Sequence, residues 1–188
     1  CQPRNQKLAH TASILNYLFE KDHTMTSALI GIGESVHASI PKTSVIMKQL
    51  HDAGPDAYTK PSPELDYVIA LIRDQANEKA SYIAVNVDAF GEDNPQLPID
   101  LMKEYVKLVR KYSNGVPVCM DSSNDDALIA GLKEWYNTDE NVAVPLINSI
   151  KVHTMENMYP YKKDYNYNFV GLLVADDHGT DKHPIEQM

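Results

Sequence analysis

The sequence predicts an α/β fold built from five successive strand–helix units, and three observations carry that prediction. Short, continuously apolar runs recur at residues 27–33 (SALIGIG), 82–87 (YIAVNV), 116–120 (VPVCM), 144–147 (VPLI) and 168–174 (NFVGLLV). Segments with apolar residues three and four positions apart lie between them. Such runs, without polar alternation, read as strands of a parallel sheet covered on both faces, each returned by a helical segment. Finally, polar residues gather where strands stop: Asn86 and Asp88 at the second, Asp121 at the third, Asn148 at the fourth.

Each element has its own signal. Leu8, Ala12, Leu15, Leu18 and Phe19 fall on one helical face, so residues 1–24 are expected to form a helical extension ahead of the domain. Pro41 suits the first turn of a helix that runs to Ala53, where Gly54 and Pro55 stop it. Ser62-Pro63-Glu64 is a helix start: a capping serine, a proline at the first position and an acid near the positive end of the dipole. Leu65, Val68, Ile69 and Ile72 supply its core stripe. Pro98 opens the next helix, with Leu101, Met102, Tyr105, Val106 and Val109 inward, and Asn114-Gly115 closes it. A helix from Asn124 to Tyr136 buries Ala127, Leu128, Leu132 and Trp135. Residues 158–168 (MYPYKKDYNYN) read as a helix-and-loop cover with solvated lysines, and 180–188 as a polar tail.

Composition bounds the function. The chain of 188 residues suffices for one domain with a sizeable core. An apolar share of 43% and a charged share of 23% are ordinary for a soluble globular protein. The net charge of −9 argues against nonspecific nucleic-acid binding, which needs a basic face. It fits an acidic cytoplasmic protein. No stretch approaches the roughly 18 consecutive apolar residues of a membrane span, and no secretory leader is evident, so no membrane partner is expected. Cys1 and Cys119 lack zinc or iron–sulfur spacing, and this chain is expected to bind no metal. The first residue is cysteine rather than methionine, which suggests a fragment or a processed product.

Two architectures fit these units, a doubly wound sheet and a (β/α)8 barrel. The first usually announces itself by a glycine-rich turn after strand one. Here Gly31-x-Gly33 is followed by Val36 where a third glycine belongs, so that fingerprint is absent. Polar groups at several strand ends fit the barrel, whose sites lie at that face. The prediction is therefore a TIM-type (β/α)8 barrel, of which residues 25–179 hold about the first five β/α units.

Asp121 is the sharpest candidate. At the carboxyl end of a parallel strand its carboxylate would face a pocket and accept hydrogen bonds from adjacent N–H donors, as on an amino-pyrimidine ring. The plainer alternative is that Asp121 or Ser123 caps the following helix. Asn148 offers an acceptor and two donors on one amide, which suits a heterocycle presenting both; the plainer alternative is a turn asparagine. Asn86 sits between Val85 and Val87, and asparagine is disfavoured inside strands.

Together these motifs resemble the pterin-binding methyltransferases that move a methyl group between methyltetrahydrofolate and a corrinoid protein, relatives of dihydropteroate synthase. The resemblance rests on IGIGESVHASIPK (30–42), VNVDAFGED (85–93), VPVCMDSSNDDALIAGLK (116–133), PLINSI (145–150) and VGLLVADDHG (170–179). The pairing of CMDSS with INSI is its most specific part. It implies that Asp121 and Asn148 hydrogen-bond the pterin ring, that Asn86 is the asparagine of the second-strand motif, and that Ser122 and Ser149 orient their neighbours. The family carries an aspartate two residues before that asparagine. This chain has Ala84 there, and Asp88 is the candidate replacement. The family's further aspartate on a sixth strand, and the asparagine that hydrogen-bonds N5 of the folate, would lie beyond the five units.

What the resemblance implies is a substrate, methyltetrahydrofolate, and a partner protein that carries the corrinoid. The enzyme binds, orients and polarises while the cofactor does the difficult chemistry. No residue presents itself for the N5 role. An open barrel would expose the edges of strands one and five, which predicts a homo-oligomer or a longer chain. A dihydropteroate synthase would show a Ser-Thr-Arg-Pro-Gly-like loop after the second strand, where this sequence has DAFGEDNPQ. A non-catalytic pterin- or partner-binding remnant is the third reading. His178 and His183, beside Asp176, Asp177 and Asp181, read as a solvated tail rather than a metal site. Asp176-x-His178 has Asp181 where the glycine of a corrinoid-binding Asp-x-His-x-x-Gly motif belongs, and is set aside.

Overall fold

Strand and helix alternate as the apolar periodicity predicts. The computed structural model of the protein describes residues 29–151 and 154–172. The expected N-terminal helix, the polar tail and the His178/His183 cluster lie outside the described residues. Five strands form one sheet: β1 (Ile32–His37), β2 (Tyr82–Asn86), β3 (Val118–Asp121), β4 (Leu146–Lys151) and β5 (Asn168–Leu172). Each is parallel to the next, in sequence order. The helices are α1 (Pro41–Asp52), α2 (Pro63–Asn77), α3 (Gln96–Tyr112), α4 (Asp125–Trp135) and the single turn α5 (Met155–Met158). No helix among the described residues is long and apolar enough to cross a membrane.

Helix ends follow the local chemistry. Ser62 Oγ accepts the Leu65 N–H at 3.1 Å and starts α2, with Pro63 at the first position. Helix α3 begins ahead of Pro98 because Asn94 Oδ1 accepts the Gln96 N–H at 3.1 Å and turns the chain earlier. It ends where Asn114 (φ 53°) and Gly115 (φ 86°) take left-handed conformations. The last carbonyls of α4 are held from the side. Arg110 of α3 donates to Glu134 O and Trp135 O and pairs with the Glu134 carboxylate at 3.2 Å.

Expectation and structure differ most at strand one. Of the apolar run 27–33 only Ile32 and Gly33 belong to β1 among the described residues: Leu29 and Ile30 are 95% and 65% exposed, and pairing starts at Ile32 and runs to His37. A bulge between Gly33 and Val36 sets two residues against one on β2, which hides the strand from periodicity. The bulge leaves the Ser35 N–H without a ladder partner, and Gln75 of α2 supplies one, Oε1 at 2.9 Å, while its Nε2 donates to Leu71 O at 2.8 Å. Gln75 lies so close that a Cβ on Gly33 would sit 2.4 Å from Oε1. Strand four also lies later than expected: pairing with β3 runs from Leu146 to Asn148, and pairing with β5 carries the strand on to Lys151.

Among the described residues the two faces of the sheet are packed differently. Ile83, Val85, Val118, Met120 and Ile147 pack against Leu65, Val68, Ile72, Met102, Tyr105, Leu128 and Leu132 of the helices. The opposite face carries a separate small cluster, Ala84, Cys119 and Leu146, with Ile32 and Tyr82 against it and no helical residue among the described ones. The physical reason is the order. Successive parallel strands joined by crossovers of one hand put every helix on the same side. In the 158–168 cover Lys162 is not simply solvated: it donates to Tyr167 O and lies 4.1 Å from the Tyr167 ring centre.

Tyr58 and Tyr105 meet edge to face, centroids 5.8 Å apart, in the core. Both hydroxyls are buried without a hydrogen-bond partner, and burial pushes both phenols up. An unpartnered hydroxyl costs desolvation and returns nothing. Tyr105→Phe is therefore expected to leave stability unchanged or raise it by on the order of 1 kcal/mol, read from the urea midpoint. A clear drop would mean that the hydroxyl is bonded.

Candidate functional site

The parallel order puts every strand's carboxyl end at one end of the sheet. Register then decides which side chains meet. Asp121 pairs with Asn148 across β3 and β4. Met120 and Val85 pair one step earlier, bringing Asn86 beside Asp121. Alternation along a strand sends Val85, Met120 and Ile147 into the helix-covered core and Asn86, Asp121 and Asn148 to the opposite face.

The three polar groups bond to one another. Asn86 Nδ2 donates to Asp121 Oδ2 and Asn148 Nδ2 to Asp121 Oδ1, each at 3.0 Å. An ionised carboxylate only accepts, so both amides must turn their NH2 groups toward it. Asn86 is fixed further because its Oδ1 accepts the Asp88 N–H at 3.1 Å. The Oδ1 of Asn148 takes no hydrogen bond from the described residues. A carboxylate has about four acceptor positions, and the amides use two of those on Asp121. The remainder, with the second N–H of each amide and Asn148 Oδ1, form a mixed donor–acceptor edge.

These groups line a cleft of about 270 Å³ together with Asp88, Ser122, Ser123, Asp125, Ser149, Lys151 and Thr154. All five residues expected from the sequence (Asp121, Asn148, Asn86, Ser122 and Asp88) are there, and so is Ser149. Ser122 is 6% exposed, and its backbone N–H donates to Asn148 O at 3.0 Å, stitching the two strand ends. Asp88 follows β2 on a short 3-10 turn, and its carboxylate accepts from both Ser122 and Ser123.

The helix-cap alternative for Asp121 and Ser123 does not hold. Asn124 caps α4, its Oδ1 accepting the Asp126 N–H at 2.9 Å. Asp121 belongs to the strand. Its orientation is explained by the amides and not by the helix.

Sequence reading missed several neighbours. Lys151 and Thr154 reach the cleft because β4 runs on past Asn148, and the Lys151 N–H donates to Thr154 Oγ1 at 2.9 Å. His37 pairs in register with Asn86, and its Nδ1 accepts the Ser39 N–H at 3.0 Å, which puts the proton of the neutral ring on Nε2. Its signal was its place at the end of strand one, invisible while that strand was set at 27–33.

Cys119 lies two residues before Asp121, on the same face of β3. Burial, with the charges of Asp121 and Glu34, pushes its thiol up to about 12. It is therefore protonated and inert as a nucleophile near neutral pH. No group of three or more His, Cys, Asp or Glu side chains among the described residues could hold a metal ion. The site can hold a flat polar ligand by hydrogen bonds. The chain matches no protein-family model and no curated protein.

Proposed function

We propose that this chain binds a pterin across the ends of β2, β3 and β4, and that it is a methyltransferase domain of the methyltetrahydrofolate–corrinoid protein kind. The observation that carries the reading is the Asp121 carboxylate held between the amides of Asn86 and Asn148 on the cleft floor. A pterin presents an N3–H beside a 2-amino group, two parallel donors that match the acceptor positions left on Asp121. Its ring nitrogens and carbonyl match the N–H and Oδ1 groups left on the amides. The fit is to the edge chemistry of the ring.

The reading takes the sheet as part of a (β/α)8 barrel. Strands in sequence order with helices on one face support that, whereas a doubly wound sheet reverses its strand order at a switch point. The corrinoid, on its partner protein, supplies the cobalt chemistry of methyl transfer. The residues of this chain bind the pterin, orient it and shield its polar edge from water.

Calorimetric titration of the chain with methyltetrahydrofolate tests the proposal. One-to-one binding in the micromolar range is expected, with tetrahydrofolate close behind because the contacts lie on the pterin edge and away from the methyl group. A folded chain that takes up neither folate would end the pterin reading. Binding without loss of the N5 methyl to a reduced corrinoid protein would leave a pterin-binding module and remove the transferase assignment.

A further inference from the structure

We infer that Asp88 is a positioning residue, which holds the Asp121 carboxylate in place from both sides and does not itself contact the ligand. Two sets of bonds carry this. The Asp88 N–H donates to Asn86 Oδ1 at 3.1 Å, and so decides which end of the Asn86 amide faces Asp121. The Asp88 carboxylate accepts from Ser122 Oγ at 2.5 Å, from the Ser123 N–H at 2.7 Å and from Ser123 Oγ at 2.8 Å. Ser122 directly follows Asp121. Its Oγ also accepts the Asn124 N–H at 3.0 Å, so the clamp extends to the residue that caps α4.

Three donors fill three of about four acceptor positions on Asp88. Short bonds to an ionised acceptor are the strong kind. That leaves Asp88 a single acceptor position, against two on Asp121, so Asp88 cannot take both donors of a paired N–H edge without releasing the turn that keeps Asp121 at the strand end. Asp88 therefore acts as an anchor between the β2 end and the β3–α4 turn, and Asp121 is the carboxylate left with acceptor positions for a ligand.

Two measurements on the full chain test this. The first is amide hydrogen exchange at Ser123 and Asn124, which needs no ligand. Asp88→Ala is expected to speed exchange at both by at least about ten-fold, the worth of one charge-assisted bond. Asp88→Asn, which keeps one acceptor oxygen, is expected to recover part of the protection. The second is methyltetrahydrofolate affinity, which rests on the pterin proposal. Asp88→Ala is expected to weaken binding by about ten-fold, Ser123→Ala by less, and the double variant by little more than Asp88→Ala alone, since both remove one linkage.

Unchanged exchange in Asp88→Ala would overturn the inference. So would faster exchange with unaltered affinity, or affinity losses that add in the double variant, because a direct ligand contact at Asp88 would be independent of Ser123. If the parent chain binds no folate, the pterin reading falls, and the exchange rates alone decide the clamp.

Discussion

Asp121→Asn is expected to weaken methyltetrahydrofolate binding by about a hundred-fold or more while leaving the chain folded. Each hydrogen bond from a ligand N–H to an ionised carboxylate is worth about 1.5–3 kcal/mol net, and the proposed pterin edge makes two. An amide keeps one neutral acceptor and sets its NH2 against the other ligand donor, so one bond is lost and the other weakened, together about 3 kcal/mol or somewhat over a hundred-fold. The substitution also disturbs the site before any ligand arrives. An amide at position 121 presents one NH2 where Asn86 and Asn148 both present theirs. One of the three must turn. Asn86 resists because its Oδ1 holds the Asp88 N–H, so Asn148 is the group that flips. Calorimetry gives the affinity, and circular dichroism with a thermal melt confirms the fold. Unchanged affinity in a folded variant would remove Asp121 from the binding edge.

The largest stability effect is expected at Trp135, the chain's single tryptophan. It ends α4, is 2% exposed, and donates from Nε1 to Ala143 O at 2.9 Å. It thus packs the helix layer and ties down the chain entering β4. Trp135→Ala removes the ring together with its Nε1–H donor, a loss of about 3–5 kcal/mol. Domains of this class have only about 5–15 kcal/mol in all, so the variant would lose a large share of its stability. Trp135→Phe keeps most of the apolar area and strands the Ala143 carbonyl, at about 1–3 kcal/mol. Urea unfolding followed by circular dichroism separates the two, since the fluorophore is lost in both. A loss below about 1 kcal/mol for Trp135→Ala would contradict the burial described for Trp135 and its bond to Ala143 O.

The sequence made the helices legible and left the strands half-hidden. Helix starts depend on local chemistry, and Ser62-Pro63 and Asn114-Gly115 act where they stand. The core stripes of α2, α3 and α4 were readable for the same reason. Strand one was not, because its limits depend on pairing with β2, fifty residues away in the register Ile32 to Tyr82. The apolar bait at Leu29 and Ile30 lies outside the ladder. The partner of the bulge, Gln75, sits on a helix forty residues from Ser35. What covers each face was not legible for a related reason: continuous apolar runs report burial but not what buries each face.

For the site, Asp121, Asn148 and Asn86 could be singled out because each breaks an apolar run at its end. Their bonds to one another could not be read, since register is a property of two strands. Asp88 shows the limit most clearly. Its identity suggested a replacement for the missing acid at position 84, but its bonds to Ser122 and Ser123, some thirty-five residues on, could not be read from the sequence.

Asn124 carries a consequence for how such a protein can change over time. A strand-to-helix turn often asks one residue to start the helix and also face the pocket, and selection on either task then constrains the other. Here the two tasks fall to different positions, since Asn124 starts α4 and Asp121 faces the cleft. Mutational drift at Asp121 can redirect what the cleft recognises without loosening the helix. The fold can outlast a change of substrate.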